Sequence, residues 1–188
     1  KDKRNRPLRG YQDNALIYWD LYPKELKDLF TKSFTIGLRE PAKRVTENKW
    51  LETFANMMSC VMVCSNCGAE TFYDATKEHF GAVHTCWGCD NTLKVPSKIV
   101  IDKNVVLITE KANLYSHHIN NDFDMNTIVG EVVVNPKNSA LWGIRNLTKT
   151  NWTYIQGDGT QIPVAPGKAA SIVKKAKIDF GNSVSEFR

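Results

Sequence analysis

Cys64-Ser-Asn-Cys67-Gly68 and, further on, Cys86-Trp-Gly-Cys89 decide how the rest of the chain is read. Eighteen residues, 68 to 85, separate the two Cys-x-x-Cys pairs, a spacing that reads as a zinc site. A Cys-x-x-Cys turn aims two sulfurs at one point, and two such turns close a tetrahedron of thiolates around Zn2+. Four cysteine ligands (Cys64, Cys67, Cys86 and Cys89) leave no position open to water, so the expected ion is structural. Its binding stabilises the folded ribbon by roughly 10 kcal/mol or more. Gly68 follows the first pair and Gly88 lies inside the second, and each suits the positive φ that tight turns often require. His79 and His84 are the only nearby substitutes and read as ordinary loop residues.

Other uses of these cysteines fit less well. Two disulfides would belong in a secreted domain, but no leader pattern opens the sequence and a fifth cysteine, Cys60, would be left over. A redox Cys-x-x-Cys normally comes once, on a strand-to-helix turn. Free cysteines point to the reducing cytoplasm.

The chain has 188 residues, 42% hydrophobic, and a net charge of +5. No apolar run approaches the ~20 residues of a membrane span. Residues 1–58 carry 12 basic and 8 acidic side chains, residues 59–95 carry 2 and 4, and residues 96–188 carry 11 and 8. The cysteine region is therefore the acidic one. That argues against nucleic acid binding through it, because phosphate contacts need Lys and Arg.

Residues 1–9 are basic and without periodicity, and read as an extended, solvated arm. A helix is predicted from Pro23, a residue suited to the first helical position. Leu26, Leu29, Phe30, Phe34 and Leu38 recur on it at three- and four-residue spacing. Gly37 is the expected terminator, with Pro41 beyond. Thr46 caps a second predicted helix bearing Trp50, Leu51, Phe54, Met57 and Met58. With Tyr18, Trp19 and Tyr22 ahead of them, these helices present more apolar face than two can bury together. A missing partner or self-association through residues 16–58 is expected.

The stretch Pro23-Lys-Glu-Leu-Lys-Asp-Leu-Phe-Thr-Lys-Ser-Phe34, then Glu40-Pro-Ala-Lys-Arg44-Val-Thr46 and the Trp50 helix, resembles the end of a protein kinase C-lobe. In that family such a helix leads into a loop reading Asp/Asn/Glu-Pro-x-x-Arg-Pro-Thr and a last helix. The resemblance implies a structural role for Arg44, pairing with the glutamate of the Ala-Pro-Glu motif. Val45 replaces the usual proline. No Gly-rich loop, strand lysine, His-Arg-Asp or Asp-Phe-Gly is present, so these residues cannot transfer phosphate. A kinase domain body is expected upstream.

Val61 and Val63 lead into the cysteine module and Leu93 and Val95 lead out, with Glu70-Thr-Phe-Tyr73 between. Short β-rich runs around two knuckles make a zinc ribbon, in which Phe72, Tyr73 and Trp87 are expected to pack over the metal. After Pro96 come frequent short apolar runs separated by turns. Ile99-Val-Ile101 and Val105-Val-Leu-Ile108 flank Asp102-Lys-Asn104 as a hairpin. Further strands are predicted at Thr127-Ile-Val, Val132-Val-Val134, 141–147, 152–155, 161–164, 170–173 and 177–180. Turns fall at Gly157-Asp-Gly159, Pro166-Gly167 and Gly181-Asn182. This spacing indicates a β-sandwich.

Gly130-Glu131, Ser139-Ala-Leu-Trp142, Asn151-Trp-Thr153 and Lys177-Ile-Asp-Phe-Gly181 resemble, in order, the motifs of the forkhead-associated family. There the order is Gly-Arg, Ser-x-x-His, Asn-Gly-Thr and a closing Ile-x-Phe-Gly strand. The resemblance implies a phosphopeptide-binding scaffold in which Ser139 and Asn151 can hydrogen-bond. The phosphate-binding arginine, however, is Glu131, and a carboxylate there repels phosphothreonine. Arg145 or Lys149 is the candidate replacement charge. His117-His118 is expected on a strand, pointing to opposite faces and so poorly placed to chelate one metal. Asn121-Asp-Phe-Asp124 lacks the glycine and terminal glutamate of a calcium loop.

The chain is thus expected to be multidomain: a short α-helical segment (1–58), a small zinc ribbon (59–95), and an all-β, forkhead-associated-like sandwich (96–188). The function these features imply is a non-catalytic regulatory or interaction region of a cytoplasmic, bacterial Ser/Thr protein kinase. Its partner would be another protein or a phosphorylated segment, with no membrane involved. One rival is a stand-alone zinc-ribbon adaptor for nucleic acid or protein. Another is an enzyme using His117, His118, Asp122 and Asp124.

Overall fold

The computed structural model describes residues 6–77 and 83–188. Residues 1–5 of the basic arm, and His79, lie outside that set. The chain divides into two compact units, Lys1–Val95 and Pro96–Arg188.

The first unit opens with α1 (Asp13–Tyr18), which runs into a single 3-10 turn, Trp19–Leu21. Helix α2 (Lys24–Ser33) follows, with Pro23 extended at the cap position, and buries Leu26 and Leu29. Gly37 does not terminate α2. The helix stops at Ser33, and Gly37 lies buried inside a short α3 (Ile36–Arg39). A side chain there would meet the Lys32 carbonyl oxygen at 3.1 Å and Arg44 Cα at 3.5 Å, so glycine serves close approach. Thr46 caps α4 (Glu47–Met58), its side chain accepting from the Lys49 N–H. Thr53 and Met57 are the buried residues of α4, and Thr53 Oγ1 donates to Glu25 of α2 at 3.2 Å.

Two hairpins carry the cysteines. Strands β1 (Val61–Val63) and β2 (Glu70–Phe72) pair antiparallel around the first knuckle. Strands β3 (His84–Thr85) and β4 (Thr92–Leu93) pair around the second. The two hairpins form separate sheets, and helices and hairpins belong to one unit.

The second unit is two antiparallel sheets sharing a core. Its strands are β5 (Lys98–Ile101), β6 (Asn104–Leu107), β7 (Asn113–Tyr115), β8 (Ile128–Asn135), β9 (Asn138–Asn146), β10 (Trp152–Ile155), β11 (Gln161–Val164), β12 (Ala169–Ser171), β13 (Lys177–Asp179) and β14 (Val184–Phe187). A six-stranded sheet runs β11-β10-β13-β14-β5-β6, and a four-stranded one β12-β9-β8-β7. Period-two alternation sends Ile99, Ile101, Ile178 and Phe187 from one sheet and Val129 and Ile144 from the other into a common core. Trp152 meets Phe180 edge-on there, ring centres 4.9 Å apart.

The expected hairpin at 99–108 and the turns at Gly159, Gly167 and Gly181 are present, the three glycines at φ +87°, +77° and +96°. The runs at 127–129 and 132–134 are one continuous strand. Helix α5 (Ser116–Asn120) has no counterpart in the sequence reading, and it carries His117 and His118 in place of the expected strand. Among the described residues, no helix is long and apolar enough to cross a membrane.

Candidate metal centre

The two knuckles are built alike. In the first, the Gly68 N–H donates to the Cys64 carbonyl and the Cys64 N–H to Ala69 O, both at 2.9 Å. In the second, Asp90 and Cys86 repeat the pattern with Cys86 O and Asn91 O at 2.9 and 2.8 Å. Equivalent positions take the positive φ: Gly68 at +74° and Asp90 at +58°. Gly88, expected to do so, does not. Its lack of a side chain serves proximity instead, since a Cβ would lie 3.3 Å from Ala69 Cβ and 3.6 Å from Cys67 Sγ.

The turns bring four sulfurs together. Sγ atoms of Cys64, Cys67, Cys86 and Cys89 all lie within 4.8 Å of one another. Cys64 is 3.7 Å from Cys89 and Cys67 is 3.5 Å from Cys86. A tetrahedron with metal–sulfur bonds of 2.3 Å has edges of about 3.8 Å, so the cluster can hold a metal ion with little adjustment. Cys64 and Cys86 are buried, Cys89 is half-buried and Cys67 is exposed.

Hydrogen bonds bias the protons. The Ala69 amide draws the Cys67 thiol down, but its bonds with Cys89 and Cys86 outweigh this and push it up to about 12. The Asn91 amide and the Asn66 side chain hold Cys89 down to about 6. Cys89 is thus the sulfur that gives up its proton most readily, and a metal ion held here would displace the remaining protons.

The fifth cysteine, Cys60, is buried outside the cluster, and its carbonyl accepts from the Tyr73 N–H. His84 lies against Tyr73, ring centres 6.4 Å apart. Of the three aromatics expected over the metal, Tyr73 is buried, whereas Phe72 faces Tyr22 at 6.1 Å. Trp87 meets Tyr18 edge-on at 5.4 Å and donates Nε1–H to the Glu70 carbonyl at 2.9 Å. The ribbon's aromatics therefore receive the helices.

Arg44 is exposed, and its Nε donates to the Gly37 carbonyl at 3.1 Å. In the sandwich, Ser139 and Asn151 are not brought together. Ser139 is the second residue of β9, and its seven steps of about 3.3 Å to Asn146 span about 23 Å; Asn151 follows Thr150, which is bonded to Asn146 at that far end. Arg145 is no free replacement charge. It sits opposite Glu131 across the β8–β9 pair, and Nη1 meets Glu131 Oε1 at 2.6 Å.

Asn146 carries no signal in the sequence, yet it is fully buried and organises the loop before Asn151. Its Nδ2 donates to Thr150 O at 2.8 Å and Val164 O at 2.9 Å, and its Oδ1 accepts from the Thr148 amide and hydroxyl. A lone asparagine at a strand end gives no signal of this until the strands are in place.

The histidine pair packs ring against ring, 3.9 Å between centres. His118 Nδ1 accepts from the Tyr115 N–H at 2.9 Å, and His117 Nε2 is buried without a hydrogen-bond partner. Asp122 and Asp124 serve the loop, accepting from Ser116 Oγ and from the Asn126 and Thr127 amides. Among the described residues the four cysteines are the one grouping of His, Cys, Asp and Glu spaced to hold a metal ion. No family model matches the chain, and no curated protein matches its sequence.

Proposed function

We propose that this chain is the zinc-stabilised, non-catalytic regulatory region of a bacterial, cytoplasmic Ser/Thr protein kinase, ending in a forkhead-associated-like sandwich that binds a protein partner. The observation that carries the zinc assignment is the set of four sulfurs that all lie within 4.8 Å of one another. Thiolate-only ligation suits Zn2+, closes its shell and makes the ion structural.

Support for the kinase part comes from the motif resemblance at 23–46 and from the helices themselves. Phe34, Leu38, Phe54 and Met58 are all exposed, an apolar face that a preceding lobe would cover. The protein-binding part draws on the two-sheet architecture and its resemblance at 130–181. The Glu131–Arg145 pairing and the separation of Ser139 from Asn151 count against a phosphothreonine pocket built from these residues, so the sandwich is assigned an unphosphorylated protein partner.

Two measurements test this reading. The native gene product should exceed 21.3 kDa by a kinase-sized segment ahead of Lys1, and it should carry one zinc per chain by native mass spectrometry. A product of this length moves the zinc-ribbon adaptor to first place. A metal-free chain, or one loaded with iron, removes the zinc.

A further inference from the structure

We infer that Trp87 couples occupancy of the four-cysteine centre to docking of the segment 13–21, making the centre a metal-dependent latch on the helical segment as well as a staple. The inference rests on the metal reading above and is independent of the kinase reading.

Helix α1 has six residues, none buried, and no side-chain cap at its start. A helix that short does not persist alone in water. What holds it are aromatic contacts at its end: Tyr18 against Trp87, and Trp19 edge-on to Phe30 of α2 at 6.1 Å. Lys77 Nζ adds a bond to the Asp20 carbonyl at 3.4 Å, and Lys27 of α2 adds another at 3.5 Å with its ammonium 3.8 Å from the Asp20 carboxylate.

Trp87 stands between Cys86 and Cys89, so its backbone position is set by the second knuckle. Its indole reaches two places at once, the Glu70 carbonyl of the first hairpin and the Tyr18 ring. The hairpins themselves share no strand pairing, and β3–β4 is only two residue pairs long. Isolated two-stranded hairpins of this length are marginal. A metal drawn into the cluster is then the principal tie between the knuckles. Without it the second knuckle loosens, Trp87 leaves Glu70 and Tyr18, and the segment 13–21 keeps only its contacts with α2 and Lys77 at its C-terminal end. Helix α2 keeps independent ties, through Asp74, Glu25 and its buried leucines, so release is confined to the segment ahead of it.

The test is amide hydrogen exchange on the whole chain, with Zn2+ bound and after a high-affinity chelator, and metal content measured in parallel. Exchange across 13–21 should quicken about tenfold or more on chelation. Trp87→Ala loaded with one Zn2+ should show the same acceleration at 13–21, with the sandwich unchanged. Protection of 13–21 equal to wild type in a zinc-loaded Trp87→Ala protein overturns the inference. If Trp87→Ala fails to take up metal, Tyr18→Ala decides. That variant leaves the ribbon whole and must also free 13–21; unchanged protection there overturns the latch. A wild-type chain that takes up no Zn2+ sinks the metal reading, and the latch with it.

Discussion

Asp74 caps a helix that begins 50 residues before it: the Lys24 N–H donates to Asp74 Oδ2 at 3.1 Å. The first amides of α2 have no partner within the helix, and Pro23 carries no side-chain acceptor for them. The carboxylate comes instead from the turn after β2. Its other oxygen is held by the Thr76 amide at 3.0 Å and hydroxyl at 2.6 Å. One acidic side chain thereby joins the helical segment to the cysteine ribbon.

Asp74→Ala should destabilise the first unit by about 1 kcal/mol, the usual cost of a lost cap, and leave the melting of the sandwich unchanged. Burial pushes the Asp74 carboxyl up, but bonds from Thr76 and Lys24 and the charge of Lys77 outweigh it, and its pKa lies below the ordinary value. Its contribution is therefore complete above the unfolded pKa, near 4, and is lost as pH falls through the depressed folded value. Urea melts at pH 7 and pH 3 should show the difference between wild type and variant shrinking in acid. An equal difference at both would assign the loss to packing.

His118 makes a second pH dependence, in the sandwich. Burial, and then the neighbouring His117, depress its pKa from 6.5 to about 3. The Tyr115 N–H bond to Nδ1 also requires that nitrogen to be unprotonated. Between pH 6.5 and about 3 the unfolded chain takes up a proton that the folded one refuses. Stability therefore falls with pH at up to about 1.4 kcal/mol per pH unit from this group. His117, also depressed by burial, acts in the same direction. His118→Gln, which retains an acceptor without a titrating ring, should flatten the slope of sandwich stability between pH 6.5 and 4. An unaltered slope would transfer the effect to other groups.

Gly130 of β8 lies against the Trp152 ring of the other sheet. A methyl group there would lie 2.9 Å from Trp152 Cη2 and 3.3 Å from Ile144 Cγ2. Gly130→Ala should cost about 1–3 kcal/mol through overpacking and lower the thermal midpoint of the sandwich. The aromatic near-UV signal of Trp152 should change with it. A neutral substitution would mean that the Trp152 ring shifts freely, contrary to its complete burial.

Much of this architecture is legible in local residue patterns. The four ligands follow from spacing, because a Cys-x-x-Cys turn is a local structure that needs only its own backbone bonds. Thr46 is recognisable as a cap for the same reason, and the 99–108 hairpin follows from alternation around a two-residue turn. The sequence places His117 and His118 on a strand because five residues, 116–120, are too few to show helical periodicity. Their helix depends on tertiary partners, including Ser183 Oγ on the Ile119 carbonyl and Asn104 on the His118 carbonyl. Gly88 reads in the sequence as a turn glycine, but its role is closeness to Ala69, which exists only once both knuckles are folded.

The sequence alone determined the two cysteine knuckles, the amphipathic helices and the strand-rich second unit, all set by interactions between near neighbours in the chain. Only the tertiary structure decided that Asp74 serves α2, that Trp87 joins Glu70 to Tyr18, that Glu131 neutralises Arg145, and that Ser139 stands a strand's length from Asn151. Those relations are matters of register and packing between segments distant in sequence. A residue pattern constrains what a side chain can do, but its partner is chosen by which surfaces burial brings together.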